Sequence, residues 1–159
     1  MTSKSDFQED EWARVIRAPL VAGMAIMLAD PGGPIEATKE TMASIKTATN
    51  PPTREQLMTE VALDVQAEVQ AKRNPLQGFK PTGTSSPVDQ VLAELTAVRE
   101  IVAARATDEE AAAFSRWLVA AAQAAADAAK EGGFMGIGAQ QVSEREQEML
   151  ERVREAAAG

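Results

Sequence analysis

The sequence predicts an all-α protein: a single-domain six-helix bundle built from two helical hairpins flanking two amphipathic helices. Three observations carry that reading. Helix-start signals recur along the chain, apolar residues recur at three- and four-residue steps between them, and no segment alternates like a half-buried strand. At 159 residues the chain has the length of one domain (1–159) and can bury a core without staples.

The elements follow in order. A capping box sets Ser or Thr three residues ahead of Glu or Gln, so that side chains satisfy the orphan amides of the first turn. Ser5 (SDFQ), Thr53 (TREQ), Thr107 (TDEE) and Ser143 (SERE) all fit it. Ser86-Pro87 and Pro34 mark two further starts, since proline at the first helical position loses no hydrogen bond. Helices are therefore expected at 6–29, 34–48, 54–72, 87–105, 108–130 and 144–157. The first carries Trp12, Val15, Ile16, Leu20, Met24 and Leu28 and is apolar over most of its circumference in its second half, so it should be central. Pro19 lies in its interior and should kink it. The third repeats Leu57, Val61, Val65 and Val69, and the fourth Val91, Leu95, Val98 and Val102. The fifth anchors with Phe114, Trp117 and Leu118 before becoming mostly alanine, from helix propensity or from close packing. The sixth puts Met149, Leu150 and Val153 on one side. Between the third and fourth lies a Pro-, Gly- and Ser-rich crossover at about 73–87, which Leu76 and Phe79 could pin to the body.

The first and fifth helices both stop at Gly-Gly and lead into a short amphipathic helix. An apolar residue then stands seven positions before a methionine, Ile35 to Met42 and Val142 to Met149. Either a duplication or the ordinary use of glycine as a helix stop gives such an echo.

Composition removes many functions. The net charge of −8 argues against nucleic acid and against an anionic membrane. The chain has no His, Cys or Tyr, so it lacks the commonest general base, the thiol nucleophile and the commonest transition-metal ligands. An enzyme is the poorest reading. The N-terminus has no apolar signal region. The most apolar run, residues 18–29, falls short of the ~20 residues a bilayer span needs. A cytoplasmic protein is expected.

Two places remain for function. GGFMGIG (132–138) lacks the strand before it and the Lys-Ser/Thr after it that a phosphate loop requires. Its Phe134, Met135 and Ile137 either plug the end of the bundle or form a docking patch for a partner protein or a second copy. The turns after both double glycines are rimmed by carboxylates: Asp30, Glu36 and Glu40 at the first, Glu131, Glu144 and Glu146 at the second. Oxygen-rich turns suit calcium or magnesium, though acids in a first helical turn also answer the helix dipole. Glu60, Asp64 and Glu68 form an acidic row on the third helix that reads as a solvated face.

The stretches AIMLADPGGPIEATKE and AAKEGGFMGIGAQQVSERE resemble the TerB-like (tellurite-resistance) helical family. The resemblance implies an all-helical, hairpin-repeat protein linked to stress, with a divalent cation at Asp30, Glu36, Glu131 and Glu144. Asp30-Pro31-Gly32 stands where that family has Asp-Gly, and Lys130-Glu131-Gly132 replaces the second Asp. The leading functional expectation is a non-enzymatic interaction or scaffold module working through the 131–142 loop. The alternative is the TerB-like cation module.

Overall fold

The computed structural model describes residues 2–30, 33–81, 86–130 and 143–158. Six helices run through them: α1 Glu9–Ala29, α2 Pro34–Ala48, α3 Gln56–Gln70, α4 Pro87–Arg105, α5 Asp108–Lys130 and α6 Glu144–Ala158. There is no strand among the described residues. α1 and α2 form one hairpin and α5 and α6 the other. Both α1 and α2 pack along α5, α4 lies along α1 and α6, and α3 sits at the edge against α1 and α2.

Two expected caps are not used. Ser5 falls in a short 3-10 turn, Lys4–Asp6, closed by the Ser3 N–H donating to Asp6 Oδ2 at 2.8 Å. Phe7 then takes an extended conformation and reaches the Trp12 ring at 5.4 Å between centroids, so α1 starts only at Glu9. Thr53 does not cap α3, which begins behind Glu55; Pro51 and Pro52 hold the preceding chain out of the helical region. The other two N-terminal signals are used. The Glu110 N–H donates to Thr107 Oγ1 at 3.2 Å, and Ser143 and Glu146 bond reciprocally.

The alanine run of α5 is packing. Ala121, Ala122, Ala125 and Ala126 are fully buried, as are Ala18, Ala22 and Ala25 of α1. Small side chains on both helices allow close approach. Trp117 anchors the other half of α5, its ring edge-on to Phe114 and its Nε1–H donating to the Thr47 carbonyl at 2.8 Å. α1 is the one described helix long and apolar enough, by length and composition, to cross a membrane, and its apolar residues are those of the bundle core. The helix runs unbroken past Pro19.

The periphery holds two corrections. Val69 is exposed, because the last turn of α3 lies beyond Val65, its last buried residue. The acidic row of α3 is engaged rather than merely solvated. Glu60 accepts the Lys4 N–H, Asp64 accepts Lys4 Nζ at 2.9 Å and Trp12 Nε1 at 2.7 Å, and Glu68 pairs with Arg73. The row thus ties the N-terminal segment down. The crossover is pinned as expected by Leu76 and Phe79, both partly buried against the core. Arg17 adds a bond to the Gln77 carbonyl at 3.1 Å, under Gly78 at φ +91°, where a Cβ would meet Arg17 Nη1 at 2.6 Å.

The tightest contact is where α1, α2 and α5 meet. A Cβ placed on Gly23 would lie 2.0 Å from Ser44 Oγ, 2.9 Å from Ser44 Cβ and 3.9 Å from Ala125 Cβ. Rotating the serine hydroxyl relieves the first clash and leaves the second. Alanine at an open helical position gains up to ~1 kcal/mol over glycine. Here Gly23→Ala is expected instead to destabilise by ~1–3 kcal/mol, and Ser44→Gly in the same chain to recover part of the loss. Urea unfolding of the four forms of this double-mutant cycle checks it; a neutral or stabilising Gly23→Ala would contradict the close approach.

Candidate functional site: two acidic turns brought together

The Gly23–Ser44 contact decides which face of α2 turns inward. Residues four apart share a helix face, and the face carrying Ser44 also carries Glu40 and Ala48. All three are buried, Glu40 at 2% exposure. The opposite face carries the residues a hydrophobic pattern would bury: Ile35 is 70% and Met42 65% exposed. α2 is therefore inverted relative to its own apolar pattern. The echo between hairpins fails here, since Met149 of α6 is buried while its counterpart Met42 is not.

Glu40 reaches the interior close to the start of α6. Glu146, 5% exposed, is held there by its capping role: its Oε2 accepts the Ser143 N–H at 3.3 Å and its own N–H donates to Ser143 Oγ at 3.2 Å. Glu40 of α2 and Glu146 of α6, more than a hundred residues apart in sequence, thus come together. Burial first, then the charges of Glu146, Asp30 and Glu36, push the Glu40 carboxyl from 4.5 up to about 7. Burial also raises Glu146, against the Ser143 N–H that lowers it, and Asp30 and Asp127 push it the same way as burial. Among the described residues Glu40 has no hydrogen-bond or ion-pair partner. A buried carboxylate without a cation is costly, so the group stays partly protonated.

Glu40 also lines a cleft of about 510 Å³ whose other walls are Met24, Met27, Leu28, Ala37, Pro81 and Pro87. One carboxyl in an apolar surround can take up or release a proton near neutrality and can face a cation. None of the other described residues that line the cleft carries a nucleophilic group.

Of the expected metal ligands, Asp30 and Glu36 lie within electrostatic reach of Glu40, while Glu144 is exposed to solvent. Glu131 and the docking residues Phe134, Met135 and Ile137 lie outside the described residues. Glu40 and Glu146 take the central places instead. Both stand among the carboxylates that rim the turns in the sequence, but what singles out Glu40, the Glu40–Ser44–Ala48 spacing, has meaning only once Gly23 is known to face Ser44. Among the described residues no three carboxylates stand close enough to enclose a metal ion, so these side chains by themselves do not form the oxygen cage of a calcium site.

A second concavity lies between α4 and α5 with α6 at its floor. It holds about 910 Å³; Ala103, Ala111, Ala112 and Val119 give it apolar walls, and Arg99, Glu100, Arg116 and Arg154 also line it. Ser115 Oγ donates to the Ala157 carbonyl at 2.6 Å and fixes α6 beneath it. Arg154 pairs with Glu151, whereas Arg99 and Arg116 have no ion-pair partner among the described residues.

No family model, no curated protein and no solved structure matches the chain.

The raised carboxyls fix a pH dependence. In the folded state Glu40 binds its proton up to about 7, whereas the unfolded chain releases it near the ordinary glutamate value. Between those limits the folded form holds more protons, so stability falls as pH rises. The Glu40 contribution is present below about pH 4.5 and lost above neutrality, on the order of 3 kcal/mol. Urea midpoints are expected to drop from pH 5 to pH 8 in the wild type, and the drop to shrink in Glu40→Gln, with the variant the more stable at pH 8. Parallel pH profiles for the two proteins would contradict the assignment.

Proposed function

We propose that the protein is a non-enzymatic binding module, and that its binding end is where Glu40 and Glu146 come together, taking a cation. The observation that supports this is the pair Glu40 and Glu146: two carboxyls, both more than nine-tenths buried, set among like charges with no cation from the described residues beside them. A fold gains nothing in stability from that arrangement. A bound cation would favour the ionised form of Glu40 and offset the repulsion. The resemblance to the TerB-like family, stress-linked and associated with divalent ions, agrees with the reading. We place its action in the cytoplasm.

A second reading, protein docking, rests on the groove between α4 and α5. In a chain of net charge −8, an apolar groove carrying Arg99 and Arg116 without an ion-pair partner among the described residues is complementary to an amphipathic helix with an acidic face.

One panel tests both. If the cation is a divalent metal, calcium and magnesium at millimolar concentration raise the melting temperature of the wild type through binding to the folded state, and have no effect on Glu40→Gln/Glu146→Gln. An equal shift in wild type and variant, or none in the wild type, counts against a metal ion as the cation. A synthetic amphipathic peptide with a glutamate face, followed by fluorescence anisotropy, is expected to bind wild type and to weaken with salt and in Arg99→Glu/Arg116→Glu. Equal binding of a lysine-faced peptide would remove the docking reading.

A further inference from the structure

We propose that the cleft over Glu40 is a site for an organic ammonium ion carried on a short apolar chain. The inference rests on the cation reading above and specifies its ligand. Three features of the cleft choose this class over a metal ion. Among the described residues one carboxyl, Glu40, lines it, and no three carboxylates stand close enough to share a metal. Hard divalent cations need six or more oxygens; a primary ammonium is satisfied by one carboxylate and a few further acceptors. The remaining walls are Met24, Met27, Leu28, Ala37, Pro81 and Pro87, which would cover methylene groups and offer a metal nothing. The volume of about 510 Å³ lies within the range of small-molecule sites.

The charge field has the matching sign. Asp30 at the end of α1, Glu36 on α2 and Glu146 on α6 all act on Glu40, and Asp127 on α5 acts on Glu146. An anionic or neutral ligand of the same length would meet that field or leave the carboxyl unpaired. Ammonium binding selects the ionised carboxylate, so near neutral pH each ligand bound should displace part of a proton from Glu40 into buffer.

The test is isothermal titration calorimetry of the full chain with n-hexylammonium chloride. n-Hexanol, sodium hexanoate and calcium chloride serve as separate ligands. The expected result is one hexylammonium per chain, no binding of hexanoate, and hexanol weaker by about tenfold or more. Glu40→Gln should lose binding by a similar factor. Ala37→Phe, which fills the cleft and keeps the carboxyl, should lose it too and stands in if Glu40→Gln fails to fold. At pH 7 the observed heat should vary with the ionisation enthalpy of the buffer, and this dependence should fade at pH 8.5. Binding of hexanol as tight as hexylammonium, or unchanged binding in both variants, overturns the inference. Binding of calcium without hexylammonium overturns it and leaves the cation reading standing. Binding of neither overturns both.

Discussion

The fold turns on one close approach. α1 brings Gly23 against Ser44 of α2 and Ala125 of α5, with no room for a Cβ at that glycine. The buried alanines of α1 and α5 are the extension of the same condition along the helices. Side chains this small bury little apolar area each, but they let backbones approach and dispersion contacts accumulate. The larger anchors, Trp117, Phe114, Leu95 and Leu57, are fully buried as well.

That contact also sets the chemistry. Once Ser44 faces Gly23, the helical repeat carries Glu40 inside one turn earlier, and Glu146 in the first turn of α6 acts on it from the same end. Hydrophobic patterning alone would rotate α2 to bury Ile35 and Met42, so packing of the small-residue seam overrides it. The result is a locally unfavourable arrangement inside an otherwise consistent fold: two buried acids that repel. Such conflicts concentrate where a protein binds something. The ion pairs at the periphery differ in kind. Arg14 with Glu94, and Arg105 with Glu11, join α1 to α4 across partly exposed surface, where each contributes ~1 kcal/mol or less.

Much of this was legible in the sequence. Four of the six helices begin where capping or proline signals put them on regular patterns: Pro34, Pro87, Thr107 and Ser143 act through local bonds that local sequence encodes. Ser5 and Thr53 misled because a buried Phe7 and a proline pair control the backbone there, and a capping motif does not report either. The acidic turns were visible as turns, and Asp30 and Glu36 as their members. The central role of Glu40 was not, because a glutamate in the second turn of an amphipathic helix looks solvated until its neighbour four residues on is known to touch glycine. The contacts of Asp64 with Lys4 and Trp12 were hidden for the same reason: they join residues more than fifty positions apart.

The central claim is that the fold forces Glu40 into a buried, negatively charged setting beside Glu146. The most direct measurement is the titration of the Glu40 side-chain carboxyl by carbon-detected NMR on chain labelled at glutamate, assigned by its loss in Glu40→Gln. The account predicts a midpoint near 7 in the wild type and a lower one in Glu146→Gln. A midpoint at the ordinary glutamate value, unmoved by Glu146→Gln, would contradict it.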